Sequence, residues 1–231
     1  MLDSKLAVEI KDGRIGYSSK EPLLSSINVD FSKGEIVAIA GPSGIGKTTL
    51  LRTIAGLVPP LGGSFLIGGK NKNTRGELGY IPQRLGLVRH ASVYHNVLLG
   101  ALAGHTSPWF PFSFNAKKIA LQAISSVGLD DKIRTPIRQL SGGQQRRVAT
   151  ARTLAQRPSI ILADEFLGEL DEETMNLVMD KVTDYVREAN ATLIVVEHDL
   201  SRAKRMADRL LIMDEDKLNS SSETISGELS M

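Results

Sequence analysis

"IVAIAGPSGIGKTTLLRTIAG", residues 36–56, decides the fold of this chain. Its first five residues are apolar without interruption, the pattern of a strand covered on both faces. They run straight into Gly41-Pro42-Ser43-Gly44-Ile45-Gly46-Lys47-Thr48, which fits G-x-x-x-x-G-K-[ST]. The residues beyond read as a helix. Strand, glycine turn and helix in that order build a phosphate cradle running from Gly41 to Thr49. Glycine lets the backbone close around oxygen atoms, and the N–H groups converge on a helix end carrying roughly half a positive charge. Lys47 is spaced to reach the β- and γ-phosphates of a nucleotide such as ATP, and the Thr48 hydroxyl to ligate Mg2+.

Working outward, "SIILAD" (159–164), "TLIVVEH" (192–198) and "RLLIMDE" (209–215) repeat the short, all-apolar form. Several such strands predict a parallel sheet covered by helices, an α/β fold. Leu6, Val8 and Ile10, then Ile27, Val29 and Phe31, alternate instead, as half-buried strands do. Met175, Val178, Val182, Tyr185 and Val186 form one helical stripe, with Asp171 as its expected N-cap. Residues 84–138 carry no buried-strand pattern, but Ile119, Ala123, Ile124 and Val127 share a helix face, which predicts a helical lobe inserted in the α/β core. The domain is expected over 1–218, followed by a polar, serine-rich tail over 219–231.

The bulk numbers exclude more than they select. A chain of 231 residues, 42% hydrophobic and 23% charged, suits one soluble domain with a sizeable core. A net charge of +2 argues against a dedicated nucleic-acid binder. The chain has no cysteine, so thiolate metal sites, disulfides and cysteine nucleophiles are excluded. The N-terminus is charged where a signal peptide needs an apolar stretch, and no apolar run reaches the ~18–20 residues that span a bilayer. A cytoplasmic chain that docks on something in a membrane is expected.

The chemistry sharpens at "IILADE". Asp164 at a strand tip suits a carboxylate that holds Mg2+, and Glu165 is placed to orient or deprotonate an attacking water. "LSGGQ", Leu140 to Gln144, then makes a second glycine-rich stretch before a helix, "GQQRRVATARTLAQ". Together with "GYIPQ" ending in Gln83, "GELD" ending in Asp171, "VVEHD" holding His198, and Tyr17 upstream of the phosphate loop, this set resembles the ATP-binding cassette (ABC) ATPases over residues 5–215. Each short motif has an ordinary structural reading alone, Tyr17 as a loop aromatic and Gln83 as a polar strand cap; six in register do not. The basic run "SRAKRMADR" (201–209) reads as a solvated helix face.

The resemblance implies a P-loop NTPase core of RecA type with an N-terminal antiparallel β subdomain and the inserted helical lobe. It implies that Tyr17 stacks on adenine, that Gln83 approaches Mg2+ and the reacting water, and that His198 contacts the γ-phosphate. It further implies head-to-tail dimers, homo- or heteromeric. Ser141, Gly142, Gly143 and Gln144 of one subunit would cap the ATP held by the P-loop of the other, with Asp171 at the same interface. The segment after Glu165 departs from the family's D-E-P-T-S-A-L-D: here Phe166 replaces the proline and Gly168-Glu169 replace Ser-Ala.

"GYIPQRLGLVRHASVYHNVLLGAL" (79–102) resembles import ATPases of the phosphonate type, and less closely lipoprotein-release and macrolide-export cassettes. The expectation is therefore the ATPase pair of an importer, peripheral on the cytoplasmic face of the membrane. It would sit beneath a permease that works with an extracytoplasmic binding protein, with phosphonate or a related oxyanion as cargo. An export motor and a soluble iron–sulfur assembly ATPase are the rivals. Trp109, Phe110, Phe112 and Phe114 cluster on the lobe, either as a docking surface or as part of the lobe's own interior.

Overall fold

The computed structural model describes residues 5–71, 76–105, 114–168, 170–214 and 217–220. Trp109, Phe110, Phe112, Glu169 and the tail beyond Ser220 lie outside that set. The chain divides into two compact units, Met1–Asn73 with Thr192–Met231, and Thr74–Ala191.

In the first unit the alternating segments become β1 (Leu6–Ile15) and β2 (Leu24–Ser32), paired antiparallel, with β4 (Gly62–Ile67) on the other side of β1. Val8, Ile10, Ile27 and Phe31 are buried on the shared face, as a period of two requires. The apolar run is β3 (Ile36–Ala40), each residue of it buried. It lies between two parallel neighbours, β7 (Thr192–Val196) and β8 (Arg209–Asp214). A strand hydrogen-bonded on both edges and covered on both faces has no place for a polar side chain, hence IVAIA. β9 (Lys217–Ser220) pairs antiparallel with β8, Ile212 opposite Asn219 and Leu211 opposite Ser220. Ordered strand therefore runs two residues into the segment expected to be tail. α1 (Lys47–Ile54) follows β3, and α6 (Leu200–Met206) follows β7.

The second unit pairs β5 (Leu78–Ile81) in parallel with β6 (Ile160–Asp164) and carries α2 (Val93–His105), α3 (Phe114–Ser126), α4 (Gly142–Ala155) and α5 (Glu172–Ala189). This compact unit is wider than the expected lobe. Val93, Val97, Ala120, Ile124, Val127, Val148 and Ala151 are among the buried residues of one core under α2, α3 and α4. That core is rich in alanine because the helices approach closely. A Cβ on Gly100 would stand 1.9 Å from the Arg152 carbonyl oxygen, and one on Gly104 1.9 Å from that of Gln156. Asn96, fully buried, bonds the backbone of Val88 and Ser92 and so fixes the segment entering α2.

α5 follows its sequence signals closely. Asp171 caps it by accepting from the Thr174 N–H at 2.8 Å, and Glu172 and Glu173 occupy its first turn. Met175, Val178, Val182 and Val186 are buried, and Asn190 ends the helix with φ 50. Tyr185, on the same stripe, is half-buried and donates its hydroxyl to the Pro158 carbonyl at 2.7 Å.

Candidate nucleotide site

The phosphate loop leaves β3 at Gly41 and enters α1 through Gly46. Gly44 (φ 83) and Gly46 (φ 111) hold left-handed conformations that L side chains resist, and a Cβ on Gly41 would stand 2.3 Å from the Met213 carbonyl oxygen. Gly46 is the N-cap of α1 and supplies no side chain to it, and the first turn carries no acid. The positive end of the helix dipole is thus uncompensated by any carboxylate of its own turn, as an anion site needs. Lys47 is only 4% exposed, and its ammonium donates to the carbonyl oxygens of Gly41 and Pro42 at 2.7 Å each. The loop therefore folds around its own cation. Ser43, Ile45, Thr48 and Thr49 complete the cradle in sequence, Thr49 being buried.

Tyr17 presents its ring openly, 68% exposed. Its hydroxyl is anchored to α1: the Thr49 side chain, then Arg52, hold the phenol below its ordinary range, and Arg52 donates to it at 3.5 Å. An exposed ring with a tethered hydroxyl is a platform with a free face. His198 is exposed between two fixed neighbours. Glu197 is buried, its carboxylate 3.3 Å from the Arg202 guanidinium. Asp199 caps α6, accepting from Ser201 and Arg202 N–H at 2.8 and 3.1 Å, and the Arg202 bond foremost draws its carboxyl below the usual range.

In the second unit, Asp164 ends the wholly buried β6 and is itself 1% exposed, with the Tyr80 hydroxyl donating to it at 3.4 Å. Glu165 takes a left-handed conformation, φ 49, and its carboxylate accepts from the Gln83 amide at 2.7 Å. Gln83 and Glu165, two separate candidates in the sequence, are thus brought into direct contact. Phe166, which stands where the family pattern has proline, and Leu167 are buried at 1% and 0% and anchor the chain just past the acid.

The signature residues make a local structure. Ser141 is the N-cap of α4; it accepts from the Gln144 N–H at 3.2 Å while the Gln144 side chain accepts from the Ser141 N–H at 3.1 Å. That capping box uses the serine oxygen as acceptor, and a hydroxyl in that role can still donate its proton. Ser141 and Gly142 are exposed, and a Cβ on Gly142 would meet nothing within 4 Å. Asp171, expected at the subunit interface, spends its carboxylate on capping α5, and the Thr174 N–H holds that carboxyl below its usual range.

Three residues escaped the sequence reading. Tyr80 bonds Asp164, Arg146 on α4 donates to the carbonyls of Glu165 and Phe166, and Arg152 donates to those of Leu85 and Gly86 at 2.8 Å each, pinning the segment after Gln83. Burial lowers the pKa of the Arg152 guanidinium. Arginines in a helix read as solvated in sequence, and only their contacts say otherwise.

The ABC transporter family model matches residues 24–168, the span from β2 through the phosphate loop, the signature helix and the acidic pair. The chain belongs to the ABC transporter family. It is an ATP-binding, ATP-hydrolysing cassette of that family, similar to a phosphonates import ATP-binding protein of Lactobacillus gasseri, 38% identical over 88% of this chain and 83% of that one. It is also similar to a phosphite import ATP-binding protein of Stutzerimonas stutzeri, 39% identical over 84% and 74%. A phosphonates import ATP-binding protein of Escherichia coli is 37% identical over 82% and 79%. Among solved structures, the ABC cassette MJ0796 as a dimer in a post-hydrolysis state bound to ADP and Pi matches with TM-score 0.81 and 29% identity, over 95% of this chain and 99% of that one.

Proposed function

We propose that this cassette powers solute import through a membrane permease, working as one of two ATPase subunits that close head-to-tail on ATP. The carrying observation is the phosphate loop: two left-handed glycines, a helix end without an acidic first turn, and a buried lysine already lying across the loop carbonyls. The names of relatives at 37–39% identity support import, and phosphonate or a related phosphorus oxyanion as cargo.

The donor set fits Mg2+. Thr48 and Asp164 offer hard oxygen ligands, which that ion prefers, and among the described residues no three His, Cys, Asp or Glu gather to hold a metal alone. Thr48, Gln83 and Asp164 are the residues that would ligate it, and bound there with the phosphates it would neutralise their charge. Lys47 exchanges loop carbonyls for phosphate oxygens. Tyr17 offers its ring to the adenine. Glu165 orients the attacking water and takes its proton as the γ-phosphorus–oxygen bond to ADP breaks, and His198 steadies the γ-phosphate.

Ser141, Gly142, Gly143 and Gln144 cap the nucleotide of an opposed cassette, Asp171 lying at the same junction. ATP then favours the closed pair through contacts made only there. The cassette sits on the cytoplasmic face, held by the permease, with a binding protein selecting cargo on the far side. No helix among the described residues is long and apolar enough to cross a membrane.

Glu165→Gln is the test. It should bind MgATP, hydrolyse it poorly and elute as an ATP-dependent dimer in size-exclusion chromatography; a monomer at high protein and ATP concentration refutes the head-to-tail reading. Affinity capture from detergent extracts should retrieve a membrane permease, and soluble partners alone would refute transport.

A further inference from the structure

Arg146 lies one turn into α4, on the helix whose N-cap is the signature serine. Its Nη1 donates to the carbonyl oxygens of Glu165 and Phe166, 3.3 Å each, and the Gly168 N–H donates to the same Glu165 oxygen at 3.3 Å. Glu165 sits at φ 49, a conformation that a non-glycine residue keeps only where its surroundings over-determine it. Those surroundings are visible: two donors on its carbonyl, the Gln83 amide on its carboxylate, and the buried Phe166 side chain just after it.

We propose that Arg146 is a positioning residue for Glu165. By gripping two successive carbonyls it fixes the peptide plane between residues 165 and 166, and with it the direction of the Glu165 carboxylate. Because the same guanidinium is rooted in the signature helix, any shift of α4 when Ser141 engages an opposed nucleotide is passed to the carboxylate of its own subunit. This rests on the reading of Glu165 as the group that handles the attacking water, and adds a mechanical tie from α4 to it. Arg147 provides an internal control. It stands on the same helix and makes an equivalent grip on the carbonyls of Val127 and Gly128, 3.2 and 3.3 Å, away from Glu165.

The experiment measures kcat and KM for MgATP with the full chain. Arg146→Met, which keeps the stem and removes the donors, should lower kcat roughly 10- to 100-fold, as small misplacements of a reacting group do, and leave KM within about threefold. Arg146→Lys should recover most of the loss, and Arg147→Met should stay within about threefold of the parent. Wild-type kcat in Arg146→Met overturns the proposal. So does a parallel fall of kcat and melting temperature in the Arg146 and Arg147 variants, which would make both mere helix ties.

If the methionine variant does not fold, Arg146→Gln and Arg146→Lys decide. A lower kcat for glutamine at equal melting temperature supports the role, and equal kcat overturns it. Glu165→Gln is run alongside. If it is dead while Arg146→Met is normal, this inference alone fails. If it turns over normally, the reading of Glu165 fails and the positioning role falls with it.

Discussion

Lys47 shows how much one residue can carry. Its ammonium is buried and held by two loop carbonyls, a preformed arrangement in which an arriving phosphate replaces neutral acceptors with charged ones. A hydrogen bond to a charged group is worth about 1.5–3 kcal/mol. Lys47→Ala is therefore expected to weaken ATP binding roughly 10- to 150-fold, measured by calorimetric titration. Lys47, Asp164 and Glu165 were legible as candidates because spacing and neighbours point to their chemistry, and Gln83 was legible only through the family resemblance. Tyr80, Arg146 and Arg152 were not, because a tyrosine in a strand and arginines in a helix acquire meaning only from the atoms they meet.

At the scale of elements, two glycines on helices show why sequence type is not enough. Gly100 lies within α2 and Gly142 opens α4, and alanine in place of a helical glycine normally gains about 1 kcal/mol from propensity. At Gly100 the new Cβ would stand 1.9 Å from a backbone oxygen of α4, an overlap that no rotamer relieves. Overpacking of that kind costs about 1–3 kcal/mol or more, so Gly100→Ala should lower the melting temperature despite its propensity. At Gly142 the space is open and an acid in the first turn suits the helix dipole. Gly142→Asp should melt like the parent yet lose ATP turnover, because on the proposed head-to-tail reading it sets a carboxylate where an opposed nucleotide's phosphates would lie. Loss of stability in the second variant, or none in the first, would contradict this account of the two helices.

For the whole molecule, the head-to-tail reading makes a prediction that neither subunit can show alone. Lys47→Ala disables the phosphate loop of its own chain, and Gly142→Asp disables the cap it offers to another. Mixed, the two inactive proteins form pairs in which one of two sites joins an intact loop to an intact cap. ATPase activity should return on mixing and rise with the mixed fraction; two variants that stay inactive together would mean that each site is built within one chain. A nucleotide enclosed by a single chain gives no such rescue.

The amino-acid order determined the central strands, the phosphate loop, the Asp171 cap of α5 and the family, because those follow from short-range period, backbone freedom and motif spacing, whereas β4 and β9 carried no such signal. The expected strand at 36–40 and the stripe of α5 are present as read, and the strand expected over 192–198 ends at Val196. Only the folded chain decided what each functional group is held by. The Gln83 amide on Glu165, the grip of Arg146 and the contact of α2 with α4 at Gly100 and Gly104 join residues far apart in sequence. Such contacts depend on distance in space and on the direction of a donor, and neither quantity is written along the chain.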